Sequence, residues 1–120
     1  MRLLIDIGNT HTTLGVWTNS KLSSVITVET KNFSKALLKI KNKPINEIFL
    51  TSVVAKNILS KVKKSLTKLI SAKIIEIKSS SKLLNVTNGY DSPGKLGSDR
   101  WASIVGLFSL YKKPRYIIDC

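Results

Sequence analysis

Acidic side chains are scarce in this chain: its 120 residues carry 7 Asp and Glu against 20 Lys and Arg, a net charge of +13. Arginine is scarce as well, since 17 of those 20 basic residues are lysine, spread among Ile, Asn and Ser. With no Arg-rich segment, no aromatic stacking run and no zinc-finger spacing, a specific nucleic-acid partner is not expected. Charge of one sign still implies attraction for anionic ligands, nucleotides among them, with salt-sensitive affinity. The single cysteine, Cys120, excludes an internal disulfide and fits a reducing compartment. No hydrophobic run approaches the roughly 18 to 20 residues of a membrane span. "MRLLIDIGN" also meets Asp6 too early for a secretory leader. A cytoplasmic protein with no membrane partner is expected. Linkers, repeats and low-complexity tracts are lacking too, and 42% apolar residues at this length can build one core, not two.

What is present is a regular alternation of short elements. "RLLIDI" predicts a strand, and "TTLGVWT" and "LSSVITVE" predict a hairpin around Asn19, Ser20 and Lys21. "NFSKALLKIKN" carries Phe33, Ala36, Leu37 and Ile40 at helical spacing and ends before Pro44. "NEIFLTSV" predicts a strand with Thr51 and Ser52 at its exit. Val54 to Ile70 predicts an amphipathic helix with a lysine face, and "KIIEIK" another strand. "SSSKLLNV" is open between a helical turn and an extended piece, and "TNGYDSPGKLGSD" is a long loop dense in turn formers. "DRWASIVGLFSLYKK" predicts a helix with an acidic first turn, and "RYIID" a last strand. A meander followed by alternating helices and strands implies a mixed α/β sheet with helices packed on it.

Asp6 ends the first apolar strand, where open α/β sheets place their ligands. A carboxylate there could hold a divalent cation or its water shell, the usual partner of nucleotide phosphates. Gly8 lets the backbone pass close to a ligand, and Asn9, Thr10, Thr12 and Thr13 offer amide and hydroxyl donors suited to a polyphosphate. The plain alternative is a turn in which Asp6 caps backbone amides. His11 has no second ligand at metal spacing.

"GYDSPGKL" almost fits the phosphate-loop pattern, but Leu96 replaces the hydroxyl that would ligate magnesium and Pro93 removes a loop amide. That reading is rejected. Gly97, Ser98, Asp99 and Arg100 at the mouth of the last helix offer free amides, a guanidinium fork and a carboxylate able to accept a proton from a substrate hydroxyl. Tyr90 and Gly94 could form a pocket wall. A simple helix cap is the equal alternative from local chemistry.

Taken together, these segments resemble one family. "DIGNTHTTLGV" is similar to the first phosphate motif, D-x-G-N-T, of the superfamily of acetate and sugar kinases, heat-shock chaperones and actin. "YDSPGKLGSDRWASIVG" resembles the signature of type III pantothenate kinases, with its L-G-x-D-R-W core, and "YIIDC" resembles the start of their second phosphate motif, D-x-G-T. The resemblance implies a ribonuclease-H-like, actin-like ATPase domain: a mixed sheet opening with a three-stranded antiparallel meander, with helices on both faces. It implies ATP-dependent phosphorylation of pantothenate to phosphopantothenate, the first step towards coenzyme A. Asp6, Ile7, Gly8, Asn9, Thr10, His11, Thr12 and Thr13 would meet the ATP phosphates, with Asp6 near the magnesium. Tyr90, Gly97, Ser98, Asp99 and Arg100 would hold pantothenate, with Asp99 as the catalytic base. Asp119 would help bind a monovalent cation, potassium or ammonium, and the enzyme would be a homodimer with pantothenate sites drawing on both subunits.

Family chains are about twice this long, so residues 1–120 are expected to be the N-terminal lobe of a two-lobed kinase whose second lobe is absent. The competing expectations are a non-catalytic remnant or regulatory relative and, on charge alone, a basic nucleic-acid-binding module.

Overall fold

The computed structural model describes residues 1–111 and residue 117. Two compact units divide the chain, Met1–Glu76 and a second that begins at Ile77.

The first unit is built on β1 (Arg2–Ile7), whose alternating residues face two ways. Leu3, Ile5 and Ile7 are at most 3% exposed, whereas Arg2, Leu4 and Asp6 lie on the opposite, open face. Strands β2 (His11–Thr18) and β3 (Lys21–Glu29) continue from it as an antiparallel meander. Their turn places Asn19 and Ser20 at φ of 47° and 58°, the left-handed pair that a two-residue hairpin needs. A short 3-10 turn (Thr30–Asn32) then leads into α1 (Phe33–Leu38). This helix is shorter than its apolar spacing predicts. Lys35, Lys39 and Lys43 would stack at i, i+4 with like charge, and Pro44 disfavours helix at the residue before it.

β4 (Glu47–Ser52) pairs parallel with β1, and β5 (Lys73–Glu76) pairs parallel with β4. Between them runs α2 (Lys56–Leu69). The sheet order is β3-β2-β1-β4-β5, which puts β1 at the centre of five mixed strands. Phe33, Ala36 and Leu37 of α1 and Val62 and Leu66 of α2 join Leu3, Ile5, Ile7, Leu14, Ile48 and Leu50 in one core. Both helices of this unit therefore cover the same sheet face.

In the second unit, "SSSKLLNV" resolves as a small hairpin, β6 (Lys82–Leu83) with β7 (Val86–Thr87), turning at Leu84 and Asn85 with φ of 47° and 65°. A 3-10 turn (Pro93–Lys95) precedes α3 (Ser98–Tyr111). Trp101, Leu96 and Val105 form a second, smaller core, with Val86 and Ile104 against it, where length and composition predict one. The expected last strand lies outside the described residues.

Truncating a core side chain of the sheet should cost far more than truncating an exposed one. Ile48→Ala, at a fully buried position, is expected to lose about 2–5 kcal/mol in urea unfolding. Leu38→Ala, at 53% exposure, should stay within about 0.5 kcal/mol.

Candidate functional site

The strand register assembles a polar row at the carboxyl ends of β1 and β4. Asp6 pairs with Thr13 on one side and Thr51 on the other, and Thr13 pairs with Thr27. Directly opposite residues share a face, so one carboxylate and three hydroxyls stand side by side across four strands. The Thr51 hydroxyl donates to Asp6 Oδ1 at 2.8 Å, and the Thr13 and Thr27 hydroxyls bond at 3.1 Å. Thr51 thus fixes the carboxylate's orientation and leaves its second oxygen for a ligand.

The turn after β1 is tight. Gly8 N–H donates to the His11 carbonyl at 2.9 Å, and a Cβ at Gly8 would lie 2.8 Å from that oxygen. Glycine is required by this close approach, since no glycine among the described residues has positive φ. Thr30 buttresses the turn from behind. Its hydroxyl donates to the Gly8 carbonyl at 2.7 Å and is bonded to the Thr12 hydroxyl at 3.0 Å, while its amide donates to the Thr10 carbonyl at 2.8 Å.

The sequence-predicted phosphate residues consequently divide. Asp6 and Thr13 share the open face, and Asn9, Thr10 and His11 are exposed at the turn. Ile7 and Thr12 are fully buried on the core face, so they can reach a phosphate only through their backbone. Thr27, Thr30 and Thr51 are additions that the sequence reading missed.

In the second unit, Gly97 and Ser98 open α3, with the Trp101 amide donating to the Gly97 carbonyl at 2.9 Å. Asp99 stands in the first turn, and its Oδ1 is buried without a hydrogen-bond partner. Trp101, only 1% exposed, likewise has a buried Nε1 without one. Buried polar atoms are nearly always paired, so two such atoms in one helical turn mark a place where a further group is wanted. Arg100 is exposed on the same turn.

The loop leading here is ordered by Asn88, which is only 8% exposed. Its amide group donates to the Ser80 and Pro93 carbonyls at 3.2 and 3.3 Å, and its Oδ1 accepts from the Tyr90 amide at 3.1 Å. Tyr90 itself is 49% exposed. The amides of Lys95 and Leu96 are spent on Ser92 and Pro93 carbonyls, so they cannot cradle a phosphate, in keeping with the rejected phosphate loop. Asp119 lies outside the described residues. Among the described residues no cluster of three His, Cys, Asp or Glu could cage a metal. The Asp6 row fits magnesium of another kind, one held by a single carboxylate together with phosphate oxygens and water.

Residues 2–120 match the model of a protein family described as type III pantothenate kinase. The chain is 26% identical to a type III pantothenate kinase of Thermosipho melanesiensis, over 99% of this chain and 50% of that protein. It is 27% identical to one of Kosmotoga olearia, over 99% of this chain and 49% of that protein. The chain therefore spans about half the length of the curated relatives it matches. In fold it is similar to Thermus thermophilus RuvC, with a TM-score of 0.50 at 14% identity, covering 96% of this chain and 84% of that one. The fold class is thus α/β and ribonuclease-H-like.

Replacing Thr30 with valine should leave the Gly8 carbonyl and the Thr12 hydroxyl without their partner. Thr30→Val is expected to destabilise the chain by about 1–3 kcal/mol and to speed amide exchange across residues 8–12. Unchanged exchange there would show that Thr30 does not hold the turn.

Proposed function

This chain belongs to the type III pantothenate kinase family, and from that premise we propose that it is the N-terminal lobe of an enzyme that phosphorylates pantothenate with ATP, the first step towards coenzyme A. Phosphoryl transfer asks little covalent chemistry of a protein; it asks for positioning and for charge placed against the phosphates. The Asp6 row supports the nucleotide half of that task. Asp6, held by Thr51, would bind the magnesium that accompanies ATP, and the ion would neutralise charge on the phosphate oxygens. The backbone of residues 7–12, with Asn9, Thr10, His11 and Thr13, would line the phosphates.

The acceptor half rests on the turn from Gly97 to Arg100. Arg100 and the first amides of α3 would hold the pantothenate carboxylate, and Tyr90 would close the pocket. Asp99 would take the proton from the attacking hydroxyl as the phosphoryl group arrives. The observation that carries this reading is the buried, unpartnered Asp99 Oδ1, an acceptor without a donor at the position where the family motif expects its base. A role for Asp119 with potassium or ammonium, and a cytoplasmic homodimer sharing its pantothenate sites, rest on the family resemblance. No helix among the described residues is long and apolar enough to cross a membrane.

The test uses the full-length enzyme. Asp99→Asn keeps the shape and removes the base, so kcat should fall by about 10²–10⁴ while ATP still binds. Unchanged turnover would remove Asp99 from the mechanism.

A further inference from the structure

The turn of residues 8–11 has a second side. A cleft of about 460 Å³, within the size range of small-molecule sites, lies between Asn9 of that turn, which it shares with the residues assigned to ATP, the 3-10 turn and the two helices of the first unit. Its floor is apolar: Phe33 and Val62 are nearly buried, and Ile58 extends the surface at 38% exposure. Ile58 is an apolar residue of α2 that fronts the cleft and not the core. The rim is polar and cationic, with Lys31 and Ser34 from one wall and Lys61 and Ser65 from the other. The two serine hydroxyls are hydrogen-bonded to each other at 3.3 Å, joining the two walls at the rim.

The surrounding charge favours an anion. Residues 30–46 and 53–72 together carry ten lysines and no acid, so positive charge predominates here, although Glu29 and Glu76 pair with Lys31 and Lys63. Lys61 has no ion-pair partner among the described residues. Lys31 pairs with Glu29 at 3.0 Å, an exposed contact that a more strongly charged anion can displace. An apolar floor beneath two ammonium groups and two hydroxyls does not suit a bare inorganic ion. It suits a small molecule with a phosphate at one end and an apolar group at the other.

We propose that this cleft is a second anion site, for a small phosphate ester, on the side of the turn opposite the Asp6 row. Thr30, which lines the cleft, also holds Gly8 and Thr12, so the cleft shares a wall with the turn that the proposed function assigns to ATP. The site stands on its own residues, and only its closeness to an ATP site rests on the earlier assignment.

Phenyl phosphate is the probe, with inorganic phosphate as the comparison, and amide chemical shifts of the isotope-labelled chain are the readout. Saturable shifts at Ser34, Lys61 and Ser65 are expected, with phosphate binding at least tenfold more weakly. Lys61→Ala should weaken phenyl phosphate about tenfold, the loss of one charge-assisted contact. Asp6→Asn should leave it unchanged, which separates this site from the nucleotide row. No saturable shift, shifts confined to residues 8–13, equal binding of the two probes, or full affinity in Lys61→Ala would each overturn the proposal.

Discussion

Strand β1 is paired along both edges, antiparallel to β2 and parallel to β4, so it can neither slip nor rotate without breaking both ladders. Its two-residue period then decides what every neighbour shows on each face. Leu3, Ile5 and Ile7 commit one face to the helices, and that commitment forces Asp6 onto the other. The same pairing brings Thr51 and Thr13 beside the carboxylate. An isolated aspartate at a strand end would be mobile and solvated; here a hydroxyl at 2.8 Å holds one oxygen in place. The position of the proposed nucleotide site is therefore a consequence of core packing rather than an addition to it.

The turn that follows is constrained from two directions. Gly8 is needed because the His11 carbonyl sits where a Cβ would be, and Thr30 ties the Gly8 and Thr10 carbonyls to the start of the helical layer. A loop proposed to meet a polyphosphate would benefit from such bracing, since donors already in place lose little entropy when a ligand arrives. The excess of lysine has a matching sense. In a chain with so few acids, Asp6 and Asp99 stand out against a positive field of the kind that attracts anionic ligands.

Element types were legible from short apolar runs in "RLLIDI" and "NEIFLTSV", and from helical spacing between Val54 and Ile70. The row around Asp6 was only half legible. A two-residue turn at Asn19 and Ser20 would set Thr13 opposite Ile26, but a bulge between Val16 and Trp17 shifts the register by one and sets it opposite Thr27. Ser23 is the extra residue, and its hydroxyl donates to the Val16 carbonyl at 3.0 Å. No pattern in "LSSVITVE" announces that insertion. Thr51 was visible as a strand exit, yet its bond to Asp6 depends on which strands become neighbours. Asn88 was hidden for another reason: a turn-rich loop is full of asparagine and serine, and only the burial of this one distinguishes it. Trp101 was readable as a helix residue of the family motif, whereas its unpartnered Nε1 is a matter of packing.

The measurement that bears most directly on the Asp6 row is a titration of the chain with magnesium ATP, followed by amide chemical shifts in the wild type and in Asp6→Asn. Saturable shifts at Gly8 to Thr13 and at Thr51, lost in the variant while the rest of its spectrum stays folded, are the expected result. Shifts that avoid this row, or that persist unchanged without the Asp6 carboxylate, would contradict its assignment to the nucleotide phosphates.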